Sequence, residues 1–173
     1  MTAKQLESFI RDVPDFPKPG ILFKDITPLL RSPEALDTAC SLLAEPFRDG
    51  GVNLVAGIES RGFIFGSIVA QKLGAGFVPI RKPGKLPWTK RSHEYELEYG
   101  KDKIEIHDDA LTSGDRVLII DDVLATGGTL AAAVKLVREF DAQLVGAATV
   151  IELSFLDGRR KIGDVSFHSV LSY

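Results

Sequence analysis

The stretch from Val117 to Thr129, V-L-I-I-D-D-V-L-A-T-G-G-T, constrains the fold more than any other part of the sequence. Its first four residues form a continuous apolar run with β-branched side chains, which is typical of a strand buried on both faces of a parallel sheet. Two carboxylates follow at the predicted end of this strand, and a turn then leads into an apolar-periodic segment that predicts a helix. In open α/β sheets ligands bind outside the carboxyl ends of the strands, so this turn is the predicted ligand site.

The residues of this turn combine phosphate-binding groups with hydroxyl-binding groups. The glycines of T-G-G-T let backbone N–H groups approach an anion at a helix N-terminus, and the hydroxyls of Thr126 and Thr129 can donate to the same oxygens. Asp121 and Asp122 would repel a phosphate, but they can accept hydrogen bonds from ribose hydroxyls or bind Mg²⁺. A ribose 5-phosphate therefore fits the stretch; the alternative is a solvated acidic turn with a glycine-rich N-cap.

Length and composition bound the class of protein. A chain of 173 residues with 45% hydrophobic and 26% charged residues predicts one soluble globular domain over residues 1–173. The formal net charge of −3 predicts no sequence-independent affinity for nucleic acid. No run of 18 apolar residues indicates a membrane span, and the N-terminus is unlike a secretory signal. The single cysteine, Cys40, suits a reducing compartment, so the expected location is the cytoplasm.

Strand and helix patterns alternate along most of the chain. The sequence predicts an amphipathic helix within residues 3–12, irregular structure from Pro14 to Gly20, and a helix that begins after the N-cap Ser32. Further elements are predicted as strands at 53–58, 76–81, 143–152 and 167–171, as helices at 63–73 and 130–140, and as a turn or short helix at 156–162. This order predicts an α/β fold with a central, mainly parallel sheet flanked by helices.

A second strand-to-helix turn, Glu59-Ser60-Arg61-Gly62, carries a cation at the same predicted edge of the sheet. The guanidinium of Arg61 could bind a diphosphate bidentately, whereas the plainer alternative is a surface salt bridge. The third strand ends in a basic run, which adds positive charge at that edge through Arg81, Lys82 and Lys85.

The pattern dissolves from Pro83 to Lys103, where prolines and glycines are mixed with charged and aromatic residues. A loop of this length in a compact domain is usually functional and is often an active-site lid, although a disordered insertion is the alternative. Ile104 and Ile106 alternate with charges and predict an edge strand that returns the lid as a hairpin. No pair of the three histidines has metal-ligand spacing, so no zinc site is expected.

The stretch around Asp121 resembles the phosphoribosyl diphosphate motif of type I phosphoribosyltransferases. Three further segments resemble members of that family that act on adenine: F-P-K-P-G-I-L-F-K-D-I at 16–26, S-R-G-F at 60–63 and E-L-E-Y-G at 96–100. The resemblance covers nearly the whole chain. It implies the type I phosphoribosyltransferase fold with a small N-terminal hood at about 1–30, a flexible lid at about 82–103, and a homodimer with the first crossover region at its interface.

The resemblance also implies roles for individual residues. The donor and AMP would be bound by Asp121, Asp122, Ala125, Thr126, Gly127, Gly128, Thr129, Ser60, Arg61 and Arg81. Adenine would be bound by Leu22, Phe23 and Val123. The lid would contribute Tyr99, and the catalytic groups would be Glu98, Arg61 and Lys85.

The implied reaction transfers the 5-phosphoribosyl group from 5-phospho-α-D-ribose 1-diphosphate to adenine, giving AMP and diphosphate. Mg²⁺ is the implied cofactor, held by the diphosphate and the ribose hydroxyls with no direct protein ligand assigned. Relatives that use 6-oxopurines typically carry an aspartate in place of Ala125 to serve N7 of the base, so Glu98 is the residue expected to handle that proton here. A non-catalytic sensor of the donor and a transferase for another nucleobase remain the alternatives.

Overall fold

A computed structural model of the chain describes residues 1–97 and 100–173, and it is built on a five-stranded parallel sheet. The strands of this sheet, in spatial order, are β4 (Gly76–Ile80), β3 (Leu54–Ile58), β7 (Arg116–Leu124), β8 (Gln143–Glu152) and β9 (Phe167–Ser172). The central strand is β7, whose residues Val117, Leu118, Ile119 and Ile120 are all fully buried. This burial on both faces explains the uninterrupted apolar run and confirms the predicted fold class.

Helices cover both faces of the sheet and create two hydrophobic cores. The helices are α1 (Ala3–Leu6), α2 (Thr27–Arg31), α3 (Pro33–Ala44), α4 (Gly62–Leu73), α5 (Gly128–Arg138) and α6 (Arg159–Ile162). One core contains α3, α4 and side chains of the sheet such as Leu118, and the other contains α5 and side chains such as Ile119. Within the described ranges, no helix combines the length and hydrophobicity needed to cross a membrane.

The order of the strands places two turns side by side. The chain runs from β3 through α4 to β4 on one side, and from β7 through α5 to β8 on the other. The connections that leave the adjacent strands β3 and β7 therefore diverge, which is the topological switch point where open α/β sheets bind ligands. The turn at 59–62, here called the arginine turn, and the turn at 125–129, here called the glycine turn, border this point.

Two small antiparallel pairs complete the fold. β1 (Arg11–Pro14) pairs with β2 (Leu22–Asp25), and β5 (Lys90–Leu97) pairs with β6 (Gly100–His107). The second pair is joined to the main sheet by reciprocal backbone hydrogen bonds of 2.8 Å between Arg81 and Glu105.

The prediction of one helix within residues 3–12 is wrong in extent. Only α1 and a following 3₁₀ turn at Glu7–Phe9 are helical, because the chain from Arg11 onward pairs with β2. Two ion pairs fasten this pairing, with Arg11 to Asp25 and Lys24 to Asp12 both at 2.6 Å. The partner strand begins at Leu22, eleven residues after Arg11, so the helical spacing of Leu6, Phe9 and Ile10 could not reveal that the chain would pair as a strand instead.

The prediction of a patternless loop from 83 to 103 is also wrong for its second half. Ile104 and Ile106 lie in a returning strand, as expected, and both side chains are buried. Their partner strand β5 lacks apolar alternation because charges match across the pair, with Glu94 opposite Lys103 and Glu96 opposite Lys101. Opposite charges stabilise cross-strand pairs without leaving a hydrophobic pattern in either strand.

The close packing of β8 against its neighbours yields a stability prediction. A Cβ atom at Gly146 would lie 2.6 Å from Cε1 of Phe47, which is itself buried, and 2.7 Å from the backbone oxygen of Ser166. We expect Gly146→Ala to lower the free energy of unfolding by about 1–3 kcal/mol through overpacking. Gly114→Ala is the matched control, since a Cβ there meets no atom within 4 Å. Equal midpoints for the two variants in urea denaturation would contradict the prediction.

Candidate active site

A cleft of about 360 Å³ opens at the switch point between β3 and β7. Both turns contribute to its wall, together with the carboxyl end of β7 and the start of α5. The residues that line it are Glu59, Ser60, Arg61, Lys82, Asp121, Asp122, Val123, Leu124, Ala125, Thr126, Gly127, Gly128, Thr129 and Leu130.

The glycine turn presents a helix N-terminus to this cleft. Gly127 is the N-cap of α5 and has φ +80°, a left-handed conformation that residues with a side chain rarely adopt. The N-cap has no side chain to accept from the first amides of the helix, so these N–H groups and the positive end of the helix dipole are suited to an anion. Thr129 donates its hydroxyl hydrogen to Oη of Tyr95 at 3.1 Å.

Asp121 and Asp122 are part of β7 itself, because the pairing with β8 continues to Leu124 opposite Glu152. The acids are expected at the C-terminal end of the strand, and the structure shows that the strand continues beyond them through Val123 and Leu124. The backbone N–H of Asp122 donates to Oδ1 of Asp121 at 2.8 Å. Burial raises the pKa of Asp121 well above its ordinary value, and the neighbouring carboxylate of Asp122 acts in the same direction. The end of β7 therefore holds negative charge at an energetic cost.

Arg61 supplies the compensating positive charge and connects the cleft to β2, which lies in the segment predicted to form the hood. Its Nε lies 2.6 Å from Oδ2 of Asp122, whose side chain is 9% exposed, whereas the Arg61 side chain is 43% exposed. The guanidinium carbon also lies 5.6 Å from the ring centroid of Phe23 in β2, within the range of a cation–π contact. Arg61 is thus accessible to a ligand while it touches both an acid of the cleft and an aromatic of the hood.

Further basic residues lie at the edge beside β4 and are held by acids. The carboxylate of Glu59 accepts from the Lys82 N–H at 2.9 Å and from Nε of Arg81 at 3.2 Å. Burial acts to raise the pKa of Glu59, but these donors outweigh it and the pKa is lowered. The Lys82 ammonium pairs with Asp102 and donates to Oη of Tyr95 at 3.0 Å. Tyr95 therefore contacts both Lys82 and Thr129.

The structure brings most of the predicted site residues together. Those on the two turns and at the end of β7 share the cleft, and Phe23 approaches it through Arg61. Three others lie outside its lining: Leu22, which is 47% exposed, Arg81, which pairs with Glu59, and Lys85.

Sequence reasoning treated two residues of the cleft incompletely. It gave Glu59 no role and counted Lys82 only among the basic run, because their contacts depend on β4 lying beside β3. Glu98 and Tyr99, the predicted proton-transfer residue and its lid neighbour, lie outside the described residues.

The electrostatic cost of the Asp121 carboxylate can be measured through Asp121→Asn. Because the pKa of Asp121 is raised in the folded state, its contribution favours folding at low pH and is lost as the pH rises through the folded-state value. Asparagine keeps an oxygen that can accept from the Asp122 N–H. We therefore expect the free energy of unfolding of the variant to exceed that of the parent by about 1 kcal/mol or more at pH 7. This difference should vanish toward pH 3.

The measurement is thermal and urea unfolding between pH 3 and pH 8. Asp109→Asn is the control, since this substitution removes an exposed carboxylate from the surface. A variant at Asp121 that is less stable than the parent at pH 7, or whose advantage does not depend on pH, would contradict the assignment of strain to this group.

Comparison with known proteins identifies the family to which the chain belongs. The model of the phosphoribosyl transferase domain family matches residues 25–170. An adenine phosphoribosyltransferase of Acaryochloris marina is 54% identical, and the alignment covers 97% of this chain and 99% of that protein.

Solved structures agree in fold over the whole chain. The crystal structure of adenine phosphoribosyltransferase from Thermoanaerobacter pseudethanolicus has a TM-score of 0.96 and 47% identity, covering 99% of this chain and 100% of that one. The Saccharomyces cerevisiae enzyme, complexed with adenine and an imino-altritol bisphosphate, has a TM-score of 0.92 and 41% identity, covering 98% of both chains. With its cleft at the switch point and these similarities along its length, the chain belongs to the adenine phosphoribosyltransferase family of phosphoribosyl transferase domains.

Proposed function

We infer that the chain transfers the 5-phosphoribosyl group of 5-phospho-α-D-ribose 1-diphosphate to adenine, producing AMP and diphosphate in purine salvage. The observation that supports this most directly is one cleft in which a helix N-terminus, two adjacent carboxylates and an accessible arginine meet. The helix N-terminus suits the phosphate, the carboxylates suit the ribose hydroxyls, and the arginine suits the diphosphate. Family membership extends over nearly the whole chain and supports the same reaction.

The glycine turn is the proposed site of the 5′-phosphate. The amides at the start of α5 and the hydroxyls of Thr126 and Thr129 would donate to its oxygens, and Ala125 would contribute backbone only. Asp121 and Asp122 would accept from the ribose hydroxyls. Substitution at the anomeric carbon passes through an oxocarbenium-like state, so negative potential from these acids would also favour the developing cation.

The arginine turn is the proposed site of the diphosphate. Arg61 is already at hydrogen-bond distance from Asp122, so a bound diphosphate would offer its guanidinium a second, bidentate partner. Ser60 and Lys82 line the same wall, and the side chains of Arg81 and Lys85 would add positive charge behind it. Positive charge at this position stabilises the leaving group as its bond to ribose breaks.

Adenine would lie between the hood and the end of β7. Phe23 is in contact range of Arg61, and Val123 lines the cleft on the opposite side. An aromatic ring can stack on the base, and the backbone N–H and C=O near Leu22 can pair with its 6-amino edge. The hood at about 1–30 and the lid at about 82–103 would be parts of this single domain and would enclose the substrates.

Mg²⁺ is the proposed cofactor. The ranges 1–97 and 100–173 contain no group of three or more His, Cys, Asp or Glu side chains arranged to hold a metal. The cation would be held by oxygens of the diphosphate and the ribose hydroxyls, and the two carboxylates of the cleft, which would accept from those hydroxyls, would add negative charge beside it. When bound, Mg²⁺ neutralises the charge of the diphosphate and orients it for departure.

The quaternary structure and compartment complete the proposal. A homodimer with the first crossover region, α4, at its interface follows from family membership, and Ile64 on that helix is 37% exposed. The fully buried thiol of Cys40, whose pKa burial raises to about 12, suits a reducing compartment such as the cytoplasm. Small-molecule substrates are the proposed partners, with neither nucleic acid nor membrane among them.

A panel of bases tests the proposed substrate. With the phosphoribosyl donor and Mg²⁺ present, we expect adenine to be converted to AMP with a kcat/KM at least 10³-fold above those of hypoxanthine, guanine and orotate, since a site that pairs with an amino group leaves buried groups unpaired with the oxo analogue. Product formation is followed by chromatography of labelled base. A preference for hypoxanthine would contradict the roles of Ala125 and Glu98, and no turnover with any base would favour a sensor of the donor.

Glu98→Gln tests the proposed proton transfer at N7 of adenine. Loss of a general acid or base lowers kcat by roughly 10²–10⁴-fold, whereas KM for the donor should change little because the amide keeps the shape of the side chain. Glu96→Gln is the matched control, since Glu96 is an exposed residue of β5 two positions earlier. Single-turnover rates that are equal in the two variants would remove Glu98 from the mechanism.

A further inference from the structure

A second turn supports the glycine turn from behind. After β8 the chain forms the segment 153–158, here called the support turn, before α6 begins at Arg159. The support turn is tied to the end of β7 by a 2.9 Å hydrogen bond from the Leu153 N–H to the Leu124 carbonyl. It is also tied to the end of the chain, since the Ser154 N–H donates to the Tyr173 carbonyl at 2.8 Å.

Backbone packs directly on backbone where the support turn meets the glycine turn. A Cβ atom at Gly127 would lie 2.3 Å from the carbonyl oxygen of Gly158, and a Cβ at Gly158 would lie 2.3 Å from the carbonyl oxygen of Ala125 and 3.1 Å from the N atom of Gly127. Neither approach leaves room for a methyl group. A displacement of Gly158 would therefore be transmitted to the residues proposed to bind the 5′-phosphate.

The residue that follows Gly158 is fixed by a bidentate ion pair. Arg159 donates from Nε and Nη2 to the two carboxylate oxygens of Glu152 at 2.5 and 2.6 Å. Glu152 is 5% exposed at the end of β8, and it also accepts from the Ser169 hydroxyl at 2.8 Å. The guanidinium carbon lies 4.8 Å from the ring centroid of Phe167. Donation by Arg159 lowers the pKa of Glu152, so the acid is charged near neutral pH.

We propose that the Glu152–Arg159 pair is a positioning device for the 5′-phosphate site: it holds Gly158 against the glycine turn and so fixes the amides that receive the phosphate. Neither side chain lines the cleft, so the pair acts through the backbone of Gly158 rather than by touching substrate. The inference rests on the proposed function, because it assigns the 5′-phosphate to the glycine turn.

The geometry explains why an ion pair serves here. The support turn begins and ends at the two partners, since Glu152 directly precedes it and Arg159 directly follows it. A fork of two parallel hydrogen bonds joins the partners, and it fixes orientation as well as distance. A lysine could supply the charge but not the fork, so the positioning effect should depend on the guanidinium group itself.

Binding of two separate probes to the purified full-length chain tests the proposal. Ribose 5-phosphate reports on the glycine turn, and inorganic diphosphate with Mg²⁺ reports on the arginine turn. For Arg159→Met we expect the Kd of ribose 5-phosphate, measured by calorimetry, to rise at least 10-fold while the Kd of diphosphate changes less than 2-fold. Arg159→Lys should resemble Arg159→Met. A role confined to stability would lower the Tm without separating the two affinities.

Two matched substitutions sharpen the test. Arg160→Met removes the adjacent arginine, which is 83% exposed and pairs only with Asp157 among the ion pairs of the described ranges, so it should leave both affinities unchanged. Gly158→Ala tests the backbone contact while both residues of the ion pair remain in place. Its φ of −61° and ψ of −26° suit alanine, so any effect arises from the collision with Ala125 and Gly127. It should weaken ribose 5-phosphate binding as Arg159→Met does, whereas Gly114→Ala should not.

The outcomes separate the inference from the proposed function. If the unmodified chain binds no ribose 5-phosphate, the assignment of the 5′-phosphate to the glycine turn fails and the inference fails with it, whereas the conversion of adenine to AMP decides the proposed function separately. If the unmodified chain binds it but folded Arg159→Met or Gly158→Ala retains the parent Kd, the inference alone is overturned. Equal weakening of both probes also overturns it. Where Arg159→Met does not fold, as judged by circular dichroism, Arg159→Lys decides the matter, because it keeps the charge and removes only the fork: a selective loss of ribose 5-phosphate binding supports the inference, and the parent Kd overturns it.

Discussion

The divergence of the two connections that leave β3 and β7 is the constraint on which the rest of the site depends. Parallel strands require crossovers, and where adjacent crossovers go to opposite sides a gap opens beyond the carboxyl ends of the strands. The arginine turn and the glycine turn are about sixty residues apart in sequence, yet they face each other across this gap. A ligand with a phosphate at one end and a diphosphate at the other can then contact both turns without any change in the sheet.

Electrostatics sets a cost that the scaffold must absorb. Burial, and after it the neighbouring carboxylate of Asp122, raises the pKa of Asp121, and Arg61 offsets only part of this effect from its position beside Asp122. The two hydrophobic cores that flank β7 provide the stability against which this cost is set. The same acids are proposed to accept from ribose, so the site is most strained without its substrate.

The sequence predicts the site better than it predicts the parts that surround it. The apolar run of β7 and the T-G-G-T turn can be recognised from a few consecutive residues. Burial on both faces restricts the strand to apolar residues, and the left-handed backbone of the turn favours glycine. The strand β5 does not, since its stability comes from charges paired with β6 rather than from a pattern of its own. The continuation of β7 through Asp121 and Asp122 depends on pairing with β8, which no single strand encodes. Glu59 gains its partners only when β4 lies beside β3.

The glycine turn is held on two sides, on one by backbone contacts and on the other by a side-chain hydrogen bond. Behind it, Gly158 makes contacts between backbone atoms that no side-chain rotation can relieve. In front of it, Tyr95 holds Thr129 through a hydroxyl hydrogen bond and also binds Lys82, so an incoming phosphate would compete for the Thr129 donor. The rear support is rigid and fixes the amides before substrate arrives, whereas the front contact is exchangeable. Because Tyr95 lies in β5, within the segment proposed as the lid, release of Thr129 to a phosphate would act on that segment through the same hydroxyl, which gives the phosphate site a direct physical connection to it.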